Sequence, residues 1–180
     1  MKFSILMAAV PVAHAAVSYM AAVPQDLMAL VESSSCVLPE DFQVQNFAAQ
    51  SPDGGQTVGS LAFTFNDDST GVNTPCHLDA SSVPVPGDGR TPRYACDNPV
   101  VQFIWQNSQI TMIEGVCPDA SGAAKYEAAG TAVINVVCDE GAGNGTAARR
   151  RANGRRAVAC KADSDDIRAR FFSIKPAPSS

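Results

Sequence analysis

The chain has 180 residues, with six cysteines, 13 Lys and Arg against 18 Asp and Glu, and a net charge of −5. That length holds one domain with a real core, not two comfortable ones. The acidic balance repels phosphate backbones, which sets nucleic acid aside as a partner.

The first fifteen residues, MKFSILMAAVPVAHA, place Lys2 ahead of an apolar run from Phe3 to Ala13 and end on Ala13-His14-Ala15. This three-part pattern is that of a secretory signal over 1–15, and the run is shorter than the roughly 20 residues a bilayer requires. Its loss leaves 12 Lys and Arg against 18 Asp and Glu, a mature charge of −6. No later segment combines the length and apolarity of a membrane span, so the expectation is a secreted, extracellular protein with no membrane partner. Residues 16–35 are read as an arm: a short amphipathic helix begun at Pro24, with Leu27, Leu30 and Val31 on one side, a propeptide, or a loose extension.

From Cys36 onward the apolar period becomes two. Phe42 and Val44 alternate with Gln43 and Gln45. SPDGG (51–55) is a turn, and SLAFTFN (60–66) puts Leu61, Phe63 and Phe65 on one face of a half-buried strand. NDDSTG (66–71) is turn chemistry, and VPVPGDGR (83–90) is a Pro/Gly loop. Asp97-Asn98-Pro99 turns the chain ahead of a strand carrying Val101, Phe103 and Trp105 on one face. Asn107-Ser108 is a hairpin loop leading to QITMI (109–113). A polar break covers 118–125, TAVINVVC (131–138) is a β-branched strand, a Gly/Arg-rich loop covers 139–159, and RFFSI (170–174) closes the fold. Short strands at this spacing predict an all-β antiparallel barrel or sandwich over 36–175, with 176–180 as a tail.

Cys36, Cys76, Cys96, Cys117, Cys138 and Cys160 are far apart, with no CxxC among them. Zinc sites draw ligands in close pairs, so no metal and no cofactor is expected. An even count in a secreted chain reads as three disulfides, and spacing alone leaves many connectivities open. A free, base-flanked thiol nucleophile does not fit that compartment.

The remaining chemistry is sparse. His77 sits beside Cys76 without a GxSxG elbow and reads as a surface or turn histidine. Asp67-Asp68, Asp163, Asp165 and Asp166 read as solvated loop acids. Glu114 ends the 109–113 strand and has no obvious partner, so no acid–base pair can be named. Arg149, Arg150, Arg151, Arg155 and Arg156 put five of the twelve mature basic residues in one loop. Three readings compete there: a solvated loop, an anion-binding site for an acidic partner such as a carboxylate-bearing cell-wall polymer, or a dibasic processing site. Asn144-Gly145-Thr146 is the sole glycosylation sequon.

The order of motifs resembles a known family. Cys-Val-Leu-Pro (36–39) is followed by Phe42, Val44 and Phe47, then LAFTF (61–65), Pro-Cys-His (75–77), RYACDN (93–98), VQFIWQ (101–106) and ITMIEGVCP (110–118). Over 36 to about 175 this is similar to the Alternaria major-allergen-like domain of small proteins secreted by fungi. The resemblance implies an antiparallel β-barrel without a catalytic centre that is recognised by, or acts on, plants. It also implies bridges Cys76–Cys96 and Cys138–Cys160. In the founding type the N-terminal cysteine links two subunits and nothing corresponds to Cys117. Here Cys117 offers an internal partner, so Cys36–Cys117 and a monomer are expected, with a dimer as the alternative. The Arg-rich loop is a further departure from that type.

The leading expectation is a non-enzymatic effector, elicitor or allergen-like protein that binds a host (plant) extracellular protein or cell-wall component. A carrier of a small apolar ligand inside the barrel is the alternative. A secreted hydrolase built on Glu114 or His77 is the third reading.

Overall fold

A computed structural model describes residues 28–29, 36–85, 91–139 and 157–178. The signal segment 1–15, the arm 16–35 apart from Met28 and Ala29, Asn144, and Arg149, Arg150, Arg151, Arg155 and Arg156 lie outside the described residues. Ten strands follow in chain order: β1 (Asp41–Ser51), β2 (Ser60–Asp67), β3 (Val72–Leu78), β4 (Tyr94–Ala95), β5 (Val101–Gln106), β6 (Gln109–Pro118), β7 (Ala124–Val133), β8 (Val136–Cys138), β9 (Val158–Ala162) and β10 (Asp166–Pro176). The fold is all-β, as the short alternating runs predict.

One antiparallel sheet runs β3-β2-β1-β10-β7-β6-β5-β4, with β9 paired to β1 and β8 to β9. Its two ends meet. The Asp97 N–H donates to Pro75 O at 2.9 Å, and the Asn98 N–H donates to Thr74 Oγ1 at 2.9 Å. The Cys76–Cys96 bridge crosses the same junction. The sheet is thereby a nearly closed barrel. Pro75 fits there because β3 is the terminal strand of the path, where a missing N–H costs little.

The interior is filled with side chains. Phe42, Phe65, Phe103, Phe171, Ile110, Met112 and Ile134 are all fully buried. Phe42 packs on Phe65 and Phe171 at centroid distances of 5.9 and 5.0 Å, and Phe63 meets Phe103 edge-on at 5.2 Å. Trp105 is half-buried and rests on Phe47 at 5.7 Å.

Two irregularities set the barrel's shape. In β1 the inward set changes phase from Phe42 and Val44 to Phe47, Ala49 and Ser51. A bulge at Asn46, with φ 54°, makes that shift. At the same point β1 exchanges its neighbour, pairing β10 over Asp41–Gln45 and β9 over Ala48–Ser51. In β10 the register slips between Phe171 and Ser173 opposite Gly130. A Cβ on Gly130 would lie 2.8 Å from Phe42 Cε1, so the close approach there requires glycine.

Several sequence boundaries are corrected. The 131–138 run is not one strand. The chain breaks at Ile134 and Asn135, where Ile134 is buried and its N–H turns to Ser108 O, and pairing passes from β6 to β9. The 118–125 break contracts to a turn at 119–123, and the last strand spans Asp166–Pro176 rather than 170–174. Val158 and Ala159, expected in the loop, begin β9. The tail is anchored by Ala177 N–H to Lys125 O at 2.8 Å. Asn107 and Ser108, with φ 51° and 57°, form the expected two-residue hairpin.

Bridges join Cys76 to Cys96 and Cys138 to Cys160, as the resemblance implies, and Cys36 to Cys117, the internal bridge expected as a departure from the founding type. They close loops with separations of 81, 20 and 22 residues. In the chain-entropy model such loops contribute about 3 kcal/mol for the short ones and about 4.5 for the long one. That is comparable with a whole domain's net stability of about 5–15 kcal/mol. No cysteine is free. No helix among the described residues is long and apolar enough to cross a membrane.

Candidate functional site

The inward face of β2 reads Leu61, Phe63, Phe65, Asp67, and that of β6 reads Ile110, Met112, Glu114, Val116. Each apolar stripe thus acquires one acid, and the fold brings the two acids together at one mouth of the barrel. Asp67 is fully buried and Glu114 is 1% exposed. Both sequence expectations for them are overturned. Glu114 lies within β6, not at a strand end, and Asp67 is not a solvated turn residue. The period-two rule placed Leu61, Phe63 and Phe65 inside, and continued by one step it also places Asp67 inside.

The hydrogen bonds are specific. Glu114 Oε1 accepts from Thr70 Oγ1 at 2.7 Å. Asp67 Oδ1 accepts from the N–H groups of Ser69 and Thr70 at 2.7 and 3.3 Å, which closes the β2–β3 turn. Asp67 Oδ2 and Glu114 Oε2 are left, buried and with no other donor among the described residues. Two ionised carboxylates can only accept. One proton on Glu114 makes Oε2 a donor towards Asp67 and satisfies both atoms. Burial, reinforced by the charge and hydrogen bond of Asp67, pushes the Glu114 carboxyl up to about 8, while the Thr70 bond pulls the other way.

A cleft of about 690 Å³ opens beside this pair, lined among others by Thr70, Val72, Val100, Glu114, Val116 and Lys125. The Cys36–Cys117 bridge forms part of its wall. Barrel mouths are common sites for small ligands.

A third buried acid was not read from the sequence. Glu127, on the outward face of β7, is 6% exposed. Arg93 Nη1 lies 2.9 and 3.0 Å from its two oxygens, and Lys175 Nζ is at 3.4 Å. Only the lone acid at 127 within an alanine-rich run hinted at a partner, and nothing pointed to Arg93.

His77 lies on the outer face of β3 with its side chain 60% exposed, and its Nδ1 is 3.6 Å from Asp97 Oδ1. It lines neither the cleft nor the carboxyl pair. Asp68, Asp163, Asp165 and Asp166 are exposed, as expected. Asp53, Asp79 and Asp119 each hold a turn by accepting nearby N–H and O–H groups. Donors from Thr57 lower the Asp53 carboxyl to about 2, and those from Ser81 and Ser121 lower Asp79 and Asp119. Among the described residues no group of three or more His, Cys, Asp or Glu is placed to hold a metal ion. No protein-family model matches the chain, and no curated protein matches it.

Proposed function

We propose that this is a secreted, non-enzymatic binding protein that engages a host extracellular protein or cell-wall component through its outer surface. The reading agrees with the resemblance to the Alternaria major-allergen-like domain. The observation that carries it is the filled interior. Four fully buried phenylalanines with Ile110, Met112 and Ile134 occupy the space in which a ligand would otherwise sit. Hydrolysis of a glycosidic bond needs two carboxyls held apart across a substrate. Asp67 and Glu114 instead flank the single residue Thr70, which donates to both, and Asp67 does not line the cleft. The three bridges suit a protein that must persist in protease-rich fluid outside the cell. Cys36 is engaged by Cys117, which favours a monomer.

The test is affinity capture from plant extracellular fluid with the oxidised protein as bait. Retention of one host component, lost on reduction of the bridges, is expected. Retention of nothing above a control barrel protein overturns the reading. The cleft at the mouth favours a second reading, a small-ligand carrier that uses the mouth instead of the interior. Methyl shifts of Val72 and Val116 on titration with apolar ligands would reveal it, and unmoved shifts across a broad panel would remove it.

A further inference from the structure

We propose that the Asp67–Glu114 pair is a proton-operated clasp: the proton shared by the two carboxyls holds the β2–β3 turn against β6, and its loss frees that turn and opens the barrel mouth.

The topology supports this first. Three strands, β1, β10 and β7, separate β2 from β6 in the sheet, so no ladder bond joins the turn to β6. Thr70 ties the turn to β6 across this gap: its Oγ1 donates to Glu114 Oε1 and its N–H to Asp67 Oδ1, which sets the two carboxyls side by side with Oδ2 and Oε2 buried and otherwise unmatched. With the proton present, all four carboxyl oxygens are matched. Without it, two like charges lie in contact in a low-dielectric site, and each has lost its partner.

The surrounding charges do not relieve this. From the turn, Asp68 is exposed and engaged by Gln43 Nε2 and Asn66 Nδ2. From β7, Lys125 stands exposed at the cleft rim and does not contribute to the Glu114 shift. Val101 on β5 and Ala128 on β7, the cross-strand neighbours of Glu114, are apolar. On the inward face of β3, Thr74 does not titrate and Cys76 is in a disulfide, as is Cys36. Glu127, Arg93 and Lys175 lie on the opposite face of the sheet.

The turn is the part able to yield. Asp68, Ser69 and Gly71 are exposed, whereas the strands on either side carry the packed core. Local opening of such a segment costs less than opening the barrel. A solvated Glu114 titrates near its ordinary value of 4.5 and the clasped one at about 8. Between these values the open fraction grows about tenfold per pH unit, and it levels off above the upper one.

The experiment is methyl NMR of the oxidised full chain from about pH 5 to pH 9 with a soluble paramagnetic agent that broadens exposed methyls. In the wild type, relaxation of the Thr70 and Val116 methyls should rise at least threefold, with the midpoint of the directly observed Glu114 carboxyl carbon. The Ile134 methyl, deep in the core, should not change. Glu114→Gln keeps a donor towards Asp67 and an acceptor for Thr70, so it should stay closed throughout. A flat wild-type profile overturns the proposal. So does a Glu114→Gln profile that follows the wild type, or an Ile134 signal that rises with Val116, since the opening would then be global.

Discussion

Glu114 and Glu127 sit beside one another on opposite faces of the same two strands. Gly115 pairs with Glu127 and Glu114 with Ala128, so one carboxyl points into the barrel and the other out of it. Both are almost completely buried. Outside, Arg93 and Lys175 supply positive charge. Inside, the nearest charge is another carboxyl. A buried acid must be settled by a counter-charge or by a proton. The second solution couples stability to pH.

The largest expected effect breaks that contrast at Glu114. Because its native value of about 8 lies above the ordinary 4.5, the folded state keeps a proton that the unfolded state has released. Stability from this site is therefore full below about pH 4.5, falls as pH rises and levels off near pH 8. At about 1.4 kcal/mol per unit, the whole window is worth up to about 4–5 kcal/mol. Denaturant unfolding should show Glu114→Gln gaining on the wild type by that order between about pH 5 and pH 8. Equal slopes for the two proteins would mean that the pair shares no proton.

Arg93→Ala should strip the outer acid of its closest counter-charge. It leaves Glu127 buried with one half-exposed lysine, at a cost of about 3 kcal/mol. Denaturant unfolding of Arg93→Ala, Glu127→Gln and the double variant measures the pair, and purely additive losses would assign Arg93 a packing role instead.

How much of this was visible in the sequence differs between the two acids. The barrel followed from alternation at Leu61, Phe63 and Phe65 and at Val101 and Phe103, because a half-buried strand writes its inward face directly into the chain. Asp67 obeyed the same alternation, but its turn-like neighbours, Asp68 to Gly71, concealed that. Glu114 was placed at a strand end because the apolar run QITMI stops at 113, yet β6 continues to Pro118. The third strand was hidden by Pro75, and β9 by its short length beside the Arg-rich stretch. The Arg93–Glu127 pair joins residues 34 apart, and no local pattern encodes a contact of that kind.

A smaller effect sharpens the inner site. Thr70→Val removes the hydroxyl that donates to Glu114 Oε1 and keeps the shape. The net loss should be about 1 kcal/mol. That bond favours the charged carboxylate and holds the Glu114 value down. The variant's carboxyl midpoint, followed by carbon NMR, should therefore move upward from that of the wild type. A downward movement would place the Thr70 bond on the protonated form.

The smallest effect belongs to the outer site, and it tests whether its two cations are equivalent. Lys175 Nζ approaches Glu127 at 3.4 Å with a side chain 52% exposed, whereas Arg93 is 14% exposed and meets both oxygens. Water screens the lysine, and its long chain loses rotamer freedom in making the contact. Lys175→Ala should accordingly cost only about 0.5 kcal/mol, and high salt should erase much of that difference. Arg93→Ala should keep most of its cost in high salt, because its partner stays buried. If the two variants proved equal in size and in salt response, a desolvated guanidinium whose Nη1 meets both oxygens would have no advantage here over a solvated ammonium, and geometry would not be what settles Glu127.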